Sequence, residues 1–274
     1  MFKSLSALSL RVVSRFERGA RKLRRRLEQQ IRRPAQTERP NTPEDWSRLY
    51  AQPVTAVTNL SSPVALVLEK LTKPGDVLLE AGCGNARISA ELAVAGRAIE
   101  LADFSPPILE RAAQLFAISG LSAPVTRFAD LTQPLPWADR SVDITWSSGV
   151  LEHWTDAEQA PIVAEMKRIS RRRVISFVPC AQSLFYRWGK SVAEEAGTWS
   201  WGRELPRATL RPLFERAGLG NVTEEIIWPE AACEFLAFIE PELRTQALGW
   251  LNSLPADDPL RATQGYLLVT CGDA

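Results

Sequence analysis

The chain has 274 residues, 45% of them apolar and 24% charged, the balance of a globular protein of one large or two small domains. No run approaches the roughly 18 uninterrupted apolar residues of a transmembrane helix. The formal charge of +1 hides an asymmetry: residues 1–33 hold 11 of the basic and 2 of the acidic residues, a net +9, which leaves the body at −8. A mildly acidic body does not wrap nucleic acid, so no DNA partner is expected, and any anionic partner belongs to the arm. Cys83, Cys180, Cys233 and Cys271 are scattered and there is a single histidine. That excludes a clustered metal site and points to a reduced, cytoplasmic setting.

Residues 1–33 read as a basic amphipathic helix. Leu5, Leu8, Val12, Phe16, Ala20, Leu23, Leu27 and Ile31 recur at steps of three or four, with arginines on the other sides. Three readings stay open. The arm lies on an anionic membrane surface, or is a mitochondrial presequence in a eukaryote, or extends to pack on a partner. Pro34 and Pro40 end it and make a linker to about residue 41.

The body, 41–274, follows. Thr42-Pro43-Glu44-Asp45 is a helix start, with Thr as the cap and Pro at the first position, and a second helix covers 63–71. Residues 76–80 (DVLLE) form a buried strand between Pro74-Gly75 and Gly82. Then come a helix at 88–95, a strand at 98–102, a helix at 107–119 and strands at 125–128 and 142–146. A helix at 156–169, a strand at 174–178, a helix at 210–217 and strands at 222–227 and 266–270 complete the pattern. This alternation gives an α/β fold, a doubly wound, mainly parallel sheet covered on both faces. Ligands in such sheets sit outside the carboxyl ends of the strands, so the residues just past each strand matter most.

Past the first strand stand Glu80-Ala81-Gly82-Cys83-Gly84, a tight turn opening into a helix whose free N–H groups face the same space. Past the second stands Asp103, placed to accept both hydroxyls of a ribose. Past the third stands Asp130, and past the fourth Ser147-Ser148-Gly149-Val150-Leu151-Glu152-His153. A nicotinamide-binding fingerprint would need a small residue at the third glycine position. Arg87 stands there, a side chain expected to collide with close helix packing.

Glu80-Ala81-Gly82-Cys83-Gly84 resembles the first motif of class I S-adenosylmethionine-dependent methyltransferases. Ala102-Asp103-Phe104-Ser105 with Ile108–Ala112 is similar to the second, Phe128-Ala129-Asp130 to the third, and Val142-Asp143-Ile144 through His153 to the fourth. The resemblance spans about 70–180 firmly. It implies a Rossmann-like sheet of seven strands with the last antiparallel, and S-adenosyl-L-methionine as cofactor. Glu80 and the backbone of Gly82, Cys83 and Gly84 would hold the methionine part, and Asp103 the ribose. Phe104 would lie by the adenine, Asp130 and Leu131 at its amino edge, and Ser147 beside the cofactor.

The donor is already activated, so the protein chiefly aligns the acceptor and excludes water. His153, as a base or a hydrogen-bonded positioning residue, and Glu152 are the catalytic candidates. The chain lacks the Pro-Pro-aromatic run of amino-directed nucleic-acid enzymes after the fourth strand, and Cys180 reads as a small loop residue rather than a nucleophile. Residues 180–207 are expected to form a lid, with Gly197 and Gly202 as hinges and Tyr186, Trp188, Trp199 and Trp201 facing the acceptor; 229–254 is a second insertion. Trp46 and Tyr50 are placed to close the cofactor side. The expected activity is methyl transfer to O, N or C of a small apolar or aromatic metabolite. Two alternatives stand beside it: an RNA or protein methyltransferase tethered by the arm, and an inactive cofactor-binding scaffold.

Overall fold

The computed structural model describes residues 42–274; the basic arm, with its three readings, lies outside the described residues. Helix α1 (Pro43–Leu49) starts from a capping box in which Thr42 and Asp45 satisfy each other's backbone N–H groups. Then come α2 (Pro63–Leu71), β1 (Val77–Ala81), α3 (Arg87–Val94), β2 (Ala98–Asp103), α4 (Pro106–Ile118), β3 (Val125–Phe128) and β4 (Val142–Ser148). A single turn at Leu151–His153 leads into α5 (Asp156–Ile169) and β5 (Ser170–Pro179). The chain continues through α6 (Leu184–Ala196), α7 (Arg211–Arg216), β6 (Gly220–Ile227), α8 (Pro229–Glu234), α9 (Pro241–Ser253), α10 (Pro259–Thr263) and β7 (Leu267–Asp273).

The seven strands form one sheet in the order β3-β2-β1-β4-β5-β7-β6. All neighbours pair in parallel except that β7 runs antiparallel to both β5 and β6. Strand order reverses between β1 and β4, which is where a doubly wound sheet opens its crevice. Alternation along each strand feeds two cores. Leu79, Val142 and Val174 meet Ile162, Met166 and Phe214 of α5 and α7 on one face. Leu78, Ile144 and Ile175 meet Leu68, Ala90 and Phe116 of α2, α3 and α4 on the other.

A third core lies off the sheet. Phe185 and Tyr186 of α6 pack with Ala232, Cys233 and Leu236 and with Ala247 and Leu251 of α9. The two insertions therefore bury each other and form a cap. Gly189 is the contact point: a Cβ there would lie 2.0 Å from the carbonyl oxygen of Phe235. Gly197, expected as a hinge, is the left-handed residue that stops α6 at φ +69°.

β5 begins four residues earlier than its apolar run. Its arginine triplet is strand because each member meets a carboxylate: Arg171 with Asp143 at 3.5 Å, Arg172 with Asp76 at 2.5 Å, and Arg173 with Asp273 at 3.1 Å. Arg87 stands where a nicotinamide-binding fingerprint would need a small residue. It is exposed and reaches Thr55 from the first turn of α3, so it collides with nothing. The close-packing position belongs to Ala86, which is buried at φ 51°.

Candidate active site

Three strand ends meet at the glycine turn. The amides of Gly82 and Cys83 donate to the Ala102 carbonyl oxygen at 2.9 and 3.0 Å, which ties the turn to β2. Gly82 has φ +76°, and a Cβ there would sit 2.8 Å from Val150, past β4, and 3.7 Å from Leu131, past β3. Only glycine fits this backbone at this crowding. Gly84, at φ +50°, lies under the ring of Tyr50, whose Cζ would be 2.8 Å from an added Cβ.

Two carboxyls border the turn. Glu80 is buried in β1 and accepts from the Ser89 hydroxyl at 2.5 Å. Asp103, at the end of β2, accepts from the Gly84 amide at 3.1 Å and the Ser105 amide at 3.0 Å. It thus fixes the turn and the entry to α4 at once. Burial pushes Glu80 well up, and it carries Asp103 to about 6 against the lowering by backbone N–H groups. Buried carboxyls held in this way suit a ligand that brings positive charge and hydroxyl donors. Phe104 is half-buried beside Asp103.

Asp130 is exposed and folds back on its own turn, with one oxygen accepting from the Thr132 amide at 2.9 Å and hydroxyl at 2.7 Å. The Ala129 amide bonds the Asp103 carbonyl oxygen at 3.0 Å, so Asp130 lies one residue beyond the pairing of β2 with β3. Ser147 is buried in β4 against Ser176, 3.2 Å between hydroxyls.

Helix α1 roofs the crevice. Ser47 meets Ser105 at 2.7 Å on the β2 side, and Trp46 meets the His153 ring edge-on at 4.9 Å on the β4 side. The Tyr50 phenol is held protonated by burial first and then by the charges of Asp103, Glu80 and Glu152, so all three carboxyls border one space.

Beyond β4 the acceptor side is a buried polar cluster. The His153 Nδ1 bonds the Arg203 carbonyl oxygen, and the Gly149 carbonyl oxygen also bears on the ring. A carbonyl only accepts, so Nδ1 donates. Burial lowers the affinity of the ring for a second proton, and the imidazole is neutral at physiological pH. The Leu205 amide donates to the Glu152 carbonyl oxygen at 2.8 Å. Segment 203–205 is thereby stitched to the turn, and it brings in Glu204, a residue that the sequence reading misses. Glu204 is buried and accepts from the Tyr186 hydroxyl.

Of the expected acceptor residues, Tyr186 is fully buried in the cap, Trp188 and Trp199 are partly buried there, and Trp201 is exposed. Cys180 is buried at the end of β5 with its thiol pushed up by desolvation. Among the described residues no cluster of metal-ligating side chains occurs.

Residues 79–177, which run from β1 into β5 and include the ends of β1 to β4, match the family model described as a methyltransferase domain. The chain carries a class I S-adenosylmethionine-dependent methyltransferase domain. Its cofactor is S-adenosylmethionine. Solved structures agree on the fold. An S-adenosylmethionine-dependent methyltransferase of Thermotoga maritima is 15% identical with a TM-score of 0.52, covering 76% of this chain and 86% of that one. The cyclase SpnF is 17% identical with a TM-score of 0.51, covering 77% and 79%. A geranyl diphosphate methyltransferase, solved with that substrate and sinefungin, is 14% identical with a TM-score of 0.50, covering 74% and 72%. No curated protein sequence matches the chain. At such identities the likeness speaks for the fold alone.

Proposed function

We propose that this methyltransferase alkylates a small molecule with an aromatic or apolar body, inside a chamber closed by α1 and by the cap. The observation that carries this reading is the tie between the turn after β4 and segment 203–205, beside the cap. The acceptor side of β4 is covered by a separately cored cap, with Tyr186, Phe235 and Tyr266 packed at ring distances of 4.9–5.2 Å. A polymer would need an open groove there. The solved geranyl diphosphate enzyme shows that this fold accommodates such an acceptor.

The residues at the crevice fit the cofactor: two glycines that tolerate no Cβ, and two buried carboxyls with no cation bonded to them among the described residues. Glu80 and the turn amides would hold its amino acid end, Asp103 the ribose hydroxyls, and Phe104 with Asp130 and Leu131 the adenine. When bound, the cofactor supplies a methyl group on sulfonium, already activated toward a nucleophile. The chain then orients the acceptor and excludes water, the roles of α1 and the cap. His153, bonded through Nδ1 to a carbonyl, positions the turn after β4 against segment 203–205. Glu152 stands where a proton leaving the acceptor can go.

The test is incubation of the full chain with methyl-labelled cofactor and a cell extract, followed by separation of small molecules from protein and RNA. Label in the small-molecule fraction supports the reading. Label only in RNA or protein overturns it in favour of the tethered alternative, and binding of cofactor without any transfer favours the scaffold.

A further inference from the structure

The cluster that joins the cap to the turn after β4 is larger than alignment of an apolar acceptor requires. Glu152 is 1% exposed, and its Oε2 has no hydrogen-bond partner among the described residues. A buried carboxyl oxygen without a donor is costly, so a structure that keeps one there has a use for it. Glu204 faces the same space. Its charge bears on Glu152, and both bear on the Tyr266 hydroxyl together with Tyr50, the residue that covers the glycine turn. The two carboxyls therefore lie between Tyr50, which covers the glycine turn, and Tyr186 of the cap.

The nearby cations are already engaged. Lys190 is bonded to Glu194 and lies 4.4 Å over the ring of Trp199. Arg207 is bonded through its terminal nitrogens to Asp156 and to the Trp154 carbonyl oxygen, and its charge offsets part of the rise at Glu152. Burial pushes both carboxyls up, and the Glu204 charge raises Glu152 further; Glu204 stands at about 7 although Lys190 and Tyr186 pull it down. A pair in this state gains most from a ligand that arrives with positive charge and several N–H donors. The aromatic rings around it suit the same ligand, since ring faces attract cations.

We propose that Glu204, acting together with Glu152, determines specificity by holding a basic amine of the acceptor in the chamber. The inference rests on the small-molecule reading above and names the substrate class for that site. A carboxylate-bearing acceptor would meet two acidic groups, and a neutral alcohol would leave one acceptor oxygen unmatched. The amine is the handle by which the molecule is held, whichever atom takes the methyl group.

The test uses the full chain saturated with S-adenosylhomocysteine and three probes sharing one ring system: tryptamine, indole-3-ethanol and indole-3-acetate. Binding is read by calorimetry. The expected result is that the amine binds at least about tenfold more tightly than either isostere, the worth of one charge-assisted hydrogen bond. Glu204→Gln, nearly isosteric, should erase that preference while leaving affinity for S-adenosylhomocysteine within about twofold. Equal binding of the three, binding of none, or preference for the acid overturns the inference, as does a preference that survives in Glu204→Gln. The wild-type comparison decides alone should the variant not fold. Failure to bind S-adenosylhomocysteine would instead strike at the methyltransferase reading itself.

Discussion

Asp103 offers the most direct test of the crevice. Burial carries its carboxyl from 3.8 to about 6, a gap worth about 3 kcal/mol at roughly 1.4 kcal/mol per unit. The sign follows from where the proton sits. Between about pH 4 and 6 the native chain keeps a proton that the unfolded chain has released. The stabilisation is complete below about pH 4 and is lost as pH rises through about 6. Ribose hydroxyls donating to the carboxylate favour its charged form, so cofactor binding expels that proton. Affinity for S-adenosylhomocysteine should then be flat above about pH 7 and weaken, by up to about tenfold per unit, as pH falls below 6. Asp103→Asn keeps the shape and removes the charge. It should cost about 10- to 100-fold in Kd at pH 8, the equivalent of about 1.5–3 kcal/mol for hydrogen bonds to a charged group. It should also flatten the slope near pH 6, which separates Asp103 from Glu80, itself raised by burial. Calorimetry on both proteins from about pH 5 to 8 measures this. A wild-type Kd that ignores pH, or a folded Asp103→Asn with unchanged affinity, would refute the assignment.

Gly84→Ala places a methyl group 2.8 Å from the Tyr50 ring at a left-handed φ, so Tyr50 must leave; S-adenosylhomocysteine affinity should fall at least about tenfold by calorimetry, with the far-ultraviolet spectrum unchanged. Gly189→Ala drives a Cβ into the Phe235 backbone, an overpacking of about 2–3 kcal/mol that should lower the melting midpoint by roughly 5–10 °C. Glu91 is buried and accepts from the Ser61 and Ser62 amides, both at 2.8 Å, ahead of α2. Glu91→Ala should therefore lose about 2–4 kcal/mol in urea unfolding and leave cofactor affinity alone. Deleting residues 1–33, with their net +9, should abolish co-sedimentation with anionic vesicles if the arm is a membrane anchor, and unchanged sedimentation would end that reading.

The strands from β1 to β4 were legible because their apolar runs are short and each is punctuated by glycine, proline or an acidic residue at its carboxyl end. Asp103 and the glycine turn could be placed for the same reason. The start of β5 was not, since three arginines carry no strand signal until Asp76, Asp143 and Asp273 are brought beside them by the fold. The cap helices were hidden in another way. Phe185, Tyr186 and Leu236 bury against each other rather than against the sheet, and a helix such as α6, with Gly189 at its centre, looks weak until its partner is seen. Glu204 gave no signal at all. Its neighbours in the chain are Arg203 and Leu205, and only the backbone stitching of 203–205 to the turn after β4 sets it opposite Glu152. Arg87 spoke against a nicotinamide fingerprint from the sequence alone, whereas the burial of its neighbour Ala86 needed the fold.

Helix α1 rests on Ser105 at one end of the crevice and on His153 at the other, so a single door serves two rooms. A disturbance at His153 is therefore carried through Trp46 to the same helix that meets Ser105 beside Asp103.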